Sequence, residues 1–368
     1  MKQNRFLPRI VAGLLAVGGI SALAEHASNT PVKEFDTPER DPRKDASQPA
    51  PEDESKKLER ARKFSAEHPM EAELRAHNVP VEKIQAAMID AAELIRSHRY
   101  SDEVNEKNYF AACREPERWA AIQKSVQYAS DKTGVPVRVL NAMGLIESQF
   151  KEDASRSDTN VYGPYQITLA TAKEAAKDAA ACFEFPIVVN KAEDLKETKT
   201  AVRLAALRLR SLKQQYGQLG LAIMDYAGGR VGLEKKIKEA FPDVDLGEKD
   251  WAAMERHHAA ERQAQKQRDA ILKRMKGGRV TDADRQALRR AVGAFEAAGA
   301  AYTKAKNAWR QKRADLPKTL KDAGVTVVAL YEHEKAKGGE APHSITYSLA
   351  LDDIGARAEK HAQEAVEE

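Results

Sequence analysis

The fold is constrained most by apolar residues that recur at intervals of three and four, the spacing of one face of an α-helix. In the segment 79–98, these recurring residues are Ile84, Met88, Ala91, Leu94 and Ile95. Prolines and glycines separate such stretches, and one of them begins beside Pro116 and stops at Gly134. A strand signal occurs only in "VTVVALY" (325–331), which is equally compatible with a helix.

Composition favours helices over an aromatic-rich β sandwich. Hydrophobic residues make up 42% of the chain but aromatic residues only 6%, so a core would consist mainly of alanine and aliphatic side chains. Charged residues reach 32%, which indicates long solvated helix faces. The sequence therefore predicts a mainly α protein, and 368 residues suffice for one large domain or two ordinary ones.

The first 24 residues have the pattern of a secretory signal peptide. Lys2, Arg5 and Arg9 provide the charged start. An apolar run follows and closes with the small residues Ala22 and Ala24. The run is short for a membrane span and contains glycines, which favours cleavage after Ala24 over an uncleaved anchor. We therefore expect a periplasmic or secreted protein with no membrane span after cleavage.

Cleavage also changes the charge balance. The whole chain has a formal net charge of +4. The first 24 residues carry three positive side chains and no negative one, so their removal leaves a net charge of +1. The basic character thus comes largely from the signal peptide, and it gives no reason to expect nucleic acid as a partner.

The chain contains two cysteines, Cys113 and Cys182. In an oxidising compartment they are expected to form a disulfide. Closing a loop of this length is worth roughly 4 kcal/mol in the chain-entropy model. Two free buried thiols are the alternative, since two isolated and distant cysteines do not make a metal site.

One carboxylate lies in an otherwise apolar helical stretch, "NAMGLIESQF" (141–150). On a helix, Leu140, Met143 and Gly144 share the side of Glu147. Burial disfavours the charged carboxylate and raises its pKa, so the group can hold a proton near neutral pH. A glycosidase needs such a carboxyl group to protonate a leaving glycosidic oxygen, although most single glutamates are solvated surface groups.

Two further segments suit a sugar-binding cleft. "GPYQI" (163–167) follows a polar loop and offers the Tyr165 ring for stacking and the Gln166 amide for hydrogen bonds. In "IMDYAGGRVG" (223–232), the glycines permit a tight loop and Tyr226 can reach back to the acid. Taken alone, each segment is more often a turn or a helix end with a packed tyrosine.

Together and in this order, the three segments resemble the catalytic domain of the soluble lytic transglycosylases, relatives of goose-type lysozyme that cleave bacterial peptidoglycan. The family has Glu-Ser at a helix end, matched here by Glu147 and Ser148. Its G-L-M-Q-I-x-P-A-T-A-like run is matched by "GPYQITLATA" (163–172). Its A-Y-N-A-G run is matched by "DYAGGRV" (225–231). The resemblance implies a lysozyme-like helical catalytic domain.

The resemblance also implies the residues of the site. Glu147 would be the catalytic residue. The substrate-binding residues would be Ser148, Gly163, Tyr165, Gln166, Ile167, Tyr226 and, from the closing helix, Tyr347. The chain departs from the family at Ala227, where the family has asparagine. About 115 residues also separate the third motif from Tyr347, far more than the family usually has, which indicates an insertion.

A polar segment that begins near residue 249 is the predicted insertion. A glycine pair at 277–278 breaks its first helix, and Thr281 with Asp284 approximates a capping box for the second. The second helix has a coiled-coil-like seam of Leu288, Val292, Phe295, Gly299, Tyr302 and Trp309. We therefore expect a long antiparallel helical hairpin over 249–315, about 40–50 Å long at roughly 1.5 Å per residue.

The sequence thus predicts six consecutive regions. They are a signal peptide (1–24), a disordered linker rich in Pro, Asp, Glu and Ser (25–55), an N-terminal helical segment that packs on the catalytic domain (56–114), the lysozyme-like transglycosylase domain (115–248), the inserted hairpin (249–315) and C-terminal helices that complete the catalytic domain (316–368).

The resemblance implies a reaction that uses a single carboxylate and no cofactor. In the family, one glutamate protonates the oxygen between N-acetylmuramic acid (MurNAc) and N-acetylglucosamine (GlcNAc). It then acts as the base while the muramoyl 6-hydroxyl forms a 1,6-anhydro sugar, and the substrate's acetamido group stabilises the cation. With a second carboxylate, for which Asp158 and Asp225 are candidates, water would attack instead and the enzyme would be a hydrolysing lysozyme.

An alternative from another class is a catalytically weak peptidoglycan-binding scaffold that docks a protein partner through the 249–315 hairpin. Ala227 and the large insertion favour it, whereas the intact Glu147 opposes it. A metal or nucleotide enzyme finds no support, because the sequence has no phosphate-cradling glycine loop and no metal-spaced His/Cys cluster. His257 and His258 lie on a charged helix and are interpreted as solvated.

Overall fold

The computed structural model describes residues 63, 65–156, 158–276 and 280–367. The predicted signal peptide and linker (1–55) lie outside the described residues. The helices that precede the polar loop are α1 (Pro69–Ala76), α2 (Val81–Arg99), α3 (Glu103–Tyr109), α4 (Pro116–Thr133) and α5 (Val137–Ser148). A 3-10 turn at Ala111–Arg114 joins α3 to α4.

The remaining helices follow a small sheet and confirm the mainly α prediction. They are α6 (Leu169–Lys177), α7 (Thr198–Tyr216), α8 (Leu219–Ala240), α9 (Glu248–Lys276), α10 (Asp282–Asp322), α11 (Val327–Ala336), α12 (His343–Leu349) and α13 (Leu351–Glu367). Two further 3-10 turns lie at Ala179–Ala181 and Ala192–Leu195. None of the helices in the described part of the chain is long and apolar enough to cross a lipid bilayer.

Local sequence signals set several helix ends. α4 begins at Pro116, and Gly134 ends it in the left-handed conformation at φ 73°. Gly217 ends α7 in the same way, at φ 72°. Thr326 caps α11 because its hydroxyl accepts a backbone N–H of the first turn. The ambiguous stretch 325–331 is therefore helical from Val327 onward.

The small sheet lies where the sequence predicted only a polar loop. Its strands are β1 (Ser155–Arg156), β2 (Val161–Tyr162) and β3 (Ile167–Thr168), in the order β1-β2-β3. Both pairs are antiparallel, with Ser155 opposite Tyr162 and Val161 opposite Thr168. Each strand has only two residues. An alternating hydrophobic pattern cannot be recognised in so short a segment.

The core is built around α5. Every residue of this helix from Arg138 to Ile146 is buried, and α4, α7 and α13 pack against it. A helix that is apolar on nearly all sides is expected in the interior of a domain. Arg138 is the charged residue among these buried side chains, and its Nε donates a hydrogen bond to Glu359 of α13 at 3.1 Å.

Carboxylates fasten the N-terminal helices to the rest of the fold. Glu73 in α1 accepts hydrogen bonds from the backbone N–H groups of Leu219 (2.6 Å) and Gly220 (2.9 Å) at the start of α8. Asp352 of α13 accepts a bond from the N–H of Met70 at 3.2 Å. Each carboxylate satisfies N–H groups that a helix start leaves without partners.

The hairpin is antiparallel, as the sequence predicted. Ring contacts between α9 and α10 show this, because later residues of α9 contact earlier residues of α10. These contacts pair Trp251 with Trp309 (5.1 Å between ring centroids), His258 with Tyr302 (4.7 Å) and the Arg268 guanidinium with the Phe295 ring (4.5 Å). His257 is exposed as expected. The solvated interpretation of His258 is wrong, because its ring is half-buried and stacks on Tyr302.

The second helix of the hairpin does not stop at residue 315. α10 continues without a break to Asp322 and contacts α7, so one helix belongs to both the hairpin and the helical body that contains α5. At the root of the hairpin, Glu234 of α8 accepts bonds from Arg230 (2.7 Å) and Arg313 (2.9 Å). The Arg230 guanidinium also lies over the Trp309 ring at 5.7 Å.

The predicted disulfide is wrong, because both cysteines are free thiols. Cys113 is buried in the 3-10 turn at 111–114, which packs on α13, and burial raises the pKa of its thiol to about 12. Cys182 lies near α7, where its Sγ accepts a hydrogen bond from Arg210. The two cysteines pack against different helices, so compartment and loop length alone do not decide whether they pair.

Candidate active site

The end of α5 places Glu147. The helix ends at Ser148. The next two residues, Gln149 and Phe150, both have φ 58°, in the left-handed region that residues with side chains rarely adopt. The N–H of Phe150 bonds to the carbonyl of Gly144 at 3.1 Å, which is the bond of a Schellman-type helix end. The chain therefore reverses within three residues of Glu147 and leaves its carboxyl group only half-buried.

The Phe150 ring holds this reversal in place. It folds back over Gly144, where a Cβ atom would overlap the ring. On its other sides the ring meets Trp119 and Tyr165 edge-on, each with ring centroids 6.0 Å apart. These contacts hold the C-terminal end of α5 in place and thus position Glu147.

The Glu147 carboxyl group has the environment of an acid. It is half-buried, and the Tyr347 hydroxyl donates a hydrogen bond to its Oε1 at 3.1 Å. Burial raises the pKa of Glu147 to about 7, against the hydrogen bond from Tyr347 and the charges of Arg99 and Arg156, which lower it. Near neutral pH the group therefore holds its proton in about half of the molecules.

A pocket of about 240 Å³ opens beside this carboxyl group. It is lined by Arg99, Ile146, Glu147, Ser148, Gln149, Lys151, Ala154, Ser155, Arg156 and Gln166. Lys151 also lines a second pocket of about 630 Å³, which extends along α4. The two pockets thus share Lys151, and Glu147 lines only the first.

Tyr347 comes from a distant part of the sequence. It lies 200 residues from Glu147 and reaches it from α12. Close packing of α12 on α8 permits this approach, because a Cβ atom on Gly228 would lie 3.2 Å from the Cβ of Ser344. The tight loop expected at 228–229 is instead a one-residue break at Gly229 (φ 74°, ψ 156°), after which the helix resumes.

The two other tyrosines of the motifs act on the protein itself. Tyr165 has 0% of its surface exposed, and its hydroxyl donates to the carbonyl of Leu140 at 3.1 Å. The expectation that its ring stacks on a sugar is therefore wrong, because the ring points into the core. The hydroxyl of Tyr226 donates to the carbonyl of Tyr165 at 2.7 Å. Burial, with the nearby Glu147 and Tyr165, raises the pKa of Tyr226 well above its usual value.

The "GPYQI" segment shapes the pocket mainly through its backbone. Gly163 has φ 72°, and a Cβ atom there would overlap the carbonyl oxygen of Leu195, so only glycine fits. The Gln166 amide lines the pocket and donates to the carbonyls of Ala154 (3.2 Å) and Gly163 (2.9 Å). Ile167 is buried. Gly163 and Ile167 thus support the pocket without lining it.

Ser148 joins the helix end to this segment. Its hydroxyl donates to the carbonyl of Pro164 at 2.9 Å and accepts the N–H of Lys151 at 3.1 Å. The side chain also lines the pocket. Ser148 therefore contributes to the geometry of the helix end as well as to the pocket wall.

Neither candidate for a second carboxylate faces Glu147 across the pocket. Asp225 is 3% exposed, accepts the Tyr216 hydroxyl at 2.6 Å and lies 3.5 Å from an Arg208 nitrogen. Burial raises its pKa, and these partners occupy it between α7 and α8. Asp158 is exposed in the turn between β1 and β2. Neither residue lines the pocket in the described part of the chain.

Sequence reasoning missed the three cationic side chains of the pocket. Lys151 and Arg156 lie in the polar loop between the first two motifs, where a search for charges near Glu147 would have found them. Arg99 lies at the end of α2, and no local pattern marks it. Among the described residues, no cluster of three or more His, Cys, Asp or Glu side chains is arranged to hold a metal ion.

The comparison with family models identifies this region. Residues 124–243 match the model of the family described as "Transglycosylase SLT domain". No curated protein and no solved structure matches the chain. The matched range contains Glu147, Gln166 and Tyr226 but neither Arg99 nor Tyr347. It supports a transglycosylase-type function on peptidoglycan and, with it, a place outside the cytoplasm.

The match agrees with the helical, lysozyme-like architecture and with the position of the half-buried carboxyl group at the end of α5. Residues 124–243 therefore match a transglycosylase SLT domain, consistent with the catalytic domain of a soluble lytic transglycosylase.

Proposed function

We propose that this protein is a peptidoglycan lytic transglycosylase that cleaves the β-1,4 bond between MurNAc and GlcNAc. The observation that carries the proposal is the half-buried Glu147 carboxyl group, whose pKa burial raises to about 7, beside an open pocket of an SLT domain. The group can both give and take a proton near neutral pH, which is what a single acid and base requires.

In the first step, protonated Glu147 donates its proton to the glycosidic oxygen. The bond between that oxygen and C1 of MurNAc breaks, and the GlcNAc side leaves with a new 4-hydroxyl group. The acetamido group of MurNAc stabilises the positive charge that develops at C1. The Tyr347 hydroxyl, 3.1 Å from Oε1, stabilises the carboxylate that Glu147 has become.

In the second step, the Glu147 carboxylate accepts the proton of the muramoyl 6-hydroxyl. The oxygen of that hydroxyl attacks C1 and closes the 1,6-anhydro ring. Glu147 is protonated again, so the cycle needs no second ionisable group. Neither Asp225, which pairs with Tyr216, nor the exposed Asp158 is placed to help water attack, and this supports the anhydro route over hydrolysis.

Two finer predictions from the sequence belong to the same proposal. Export by residues 1–24 would deliver the enzyme to the periplasm or the medium, where its substrate lies. A protein partner for the 249–315 hairpin stays a prediction that the hairpin's exposed length permits. Neither affects the chemistry at Glu147.

Mass spectrometry of purified peptidoglycan digested by the protein tests the proposal. We expect 1,6-anhydromuropeptides from the unmodified protein and none from the Glu147→Gln variant. Products with reducing MurNAc ends would establish a hydrolysing lysozyme instead. If the unmodified protein binds the wall and releases no product, the protein is a scaffold and the proposal is wrong.

A further inference from the structure

The pocket beside Glu147 has a cationic wall. Arg99, Lys151 and Arg156 line it from three separate segments, which are the end of α2, the turn after α5 and strand β1. All three side chains are exposed. Within the described residues, none of the three forms an ion pair or a side-chain hydrogen bond, whereas many other surface cations of this chain pair with carboxylates.

The positive charges of Arg99, Lys151 and Arg156 disfavour the proposed reaction unless an anionic group neutralises them. Arg99 and Arg156 lower the pKa of Glu147, although burial, the largest effect, raises it. A glycosidase transition state develops positive charge on the sugar, and nearby cations of the same sign disfavour it. An anionic group of the substrate that occupies the wall would remove both penalties at once.

We propose that Arg99, Lys151 and Arg156 bind a carboxylate of the glycan substrate, so that the protein selects strands with a free carboxylate near the bond it cleaves. The proposal rests on the proposed function, because it assigns the substrate class of the same site. Arginine side chains bind carboxylates through paired N–H donors, and lysine adds a mobile positive charge. Three cations from separate segments can surround one such group.

Peptidoglycan offers this chemistry from two sources. In strands without peptides, the lactyl group of MurNAc ends in a free carboxylate. In strands with stem peptides, that carboxyl group is consumed in an amide bond, and the free carboxylates belong to the peptide. Both sources present the same group to the cationic wall, and they differ in distance from the sugar ring.

Carboxylate binding would also help Glu147 to stay protonated. The charged and titratable side chains nearest Glu147 are Arg99, Arg156, Tyr109, Tyr226 and Tyr347. Lys151 lies in the same pocket wall, and His343, whose pKa burial lowers, packs against the Tyr347 ring. The tyrosines stay neutral at working pH because burial raises the pKa of each. Only the arginines lower the pKa of Glu147 through their charge, so neutralising them lets Glu147 keep its proton to a higher pH in the complex.

The test compares variants on three matched substrates. These are peptide-free strands with free lactyl carboxylates, peptide-bearing strands, and peptide-free strands whose lactyl carboxylates are converted to methylamides. We expect Arg99→Gln and Arg156→Gln each to lower kcat/KM about 10-fold or more on a carboxylate-bearing substrate. On the methylamide strands the loss should stay below about 2-fold. Arg96→Gln is the matched control, because Arg96 is exposed on the same helix and does not line the pocket.

The results assign the source or overturn the proposal. A loss confined to peptide-free strands identifies the lactyl carboxylate, and a loss confined to peptide-bearing strands identifies the stem peptide. Equal losses on the methylamide strands, or no loss on any strand, would overturn it. A pH profile of the unmodified protein gives a further check. On the selected substrate, the pKa above which kcat falls should be higher than the pKa above which kcat/KM falls, because bound carboxylate neutralises the arginines. On the methylamide strands the two pKa values should be equal.

A binding measurement separates this proposal from the proposed function. If the unmodified protein releases no product from any strand, the proposed function fails. The Glu147→Gln protein then still tests recognition, because it keeps the cationic wall. If either the peptide-free or the peptide-bearing strands bind about 10-fold tighter than the methylamide strands, the proposal is supported, and equal binding of all three overturns it. Thermal unfolding of each variant confirms that it folds.

Discussion

Two helices of this molecule, α5 and α10, show how differently the same secondary structure can be used. α5 is buried along nearly its whole length, and Glu147, the proposed acid, lies at its end. α10 has 41 residues, of which only Ala291, Trp309, Leu316 and Leu320 are buried. The last two of these already lie in the part that joins the catalytic fold.

The contrast separates two sources of stability. α5 depends on side chains of other helices, so its shape tolerates little change. The hairpin part of α10 depends mainly on local effects, such as the Thr281 and Asp284 capping box and one layer of contacts with α9. Burial raises the pKa of Glu147 to about 7, and a carboxyl group can be buried to this degree only on a closely packed helix such as α5. The exposed hairpin part of α10 does not provide that environment.

The largest difference should appear when a glutamate is changed in each helix. Glu147→Gln should lower the rate of anhydromuropeptide release roughly 10²–10⁴-fold, because an amide cannot donate the proton. Glu296→Gln, on the exposed face of α10, should leave the rate within about 2-fold. Quantitative mass spectrometry of timed digests measures both. A Glu147→Gln protein with near-normal turnover would remove Glu147 from the mechanism.

The same pair of variants should differ in the pH dependence of stability. Between the usual pKa of 4.5 and the folded-state pKa of about 7, the unfolded Glu147 loses its proton while the folded one keeps it. Stability therefore falls as pH rises through this range. At pH 8 the Glu147→Gln protein should be more stable than the unmodified protein by roughly 3 kcal/mol, with no difference near pH 4.

Denaturant titrations at several pH values measure this difference. Glu296→Gln serves as the control and should follow the unmodified protein at every pH. A constant difference between Glu147→Gln and the unmodified protein from pH 4 to pH 8 would show that burial does not raise the pKa of Glu147.

A glycine in each helix should respond with opposite signs. Gly144→Ala in α5 places a methyl group where the Phe150 ring lies, which should lower the free energy of unfolding by about 1–3 kcal/mol. Gly293→Ala in α10 meets nothing within 4 Å and should raise it by about 1 kcal/mol through helix propensity. Thermal and denaturant unfolding measure both changes. Destabilisation by Gly293→Ala would mean that the hairpin is packed more tightly than its exposure indicates.

The smallest expected effect lies at the root of the hairpin. Glu234 accepts bonds from Arg230 and Arg313 and is partly exposed, so Glu234→Gln should cost about 1 kcal/mol of stability. Cleavage should stay within about 2-fold of normal. A double-mutant cycle with Arg313→Gln measures the coupling of the pair. A large loss of cleavage would show that the hairpin's attachment controls the site.

Prediction from the sequence succeeded where the cause is local. Pro116, Gly134 and Gly217 mark helix ends through their own backbone preferences. It failed where the cause lies elsewhere in the molecule. Tyr165 has a typical sugar-binding sequence context, yet the space below α5 takes its ring into the core. Two-residue strands have no pattern of their own, so the small sheet depends on its neighbours.

The sequence by itself determined the helices, the antiparallel hairpin and the position of Glu147 at the end of an apolar helix. Each of these depends on residues within a few positions of one another, whose spacing and side-chain chemistry are visible in the chain. Only the tertiary structure decided that Tyr347 bonds Glu147 across 200 residues, that Arg99 reaches the pocket and that Cys113 stays apart from Cys182. Such contacts arise when whole helices pack, and no local pattern records which distant side chains that packing brings together.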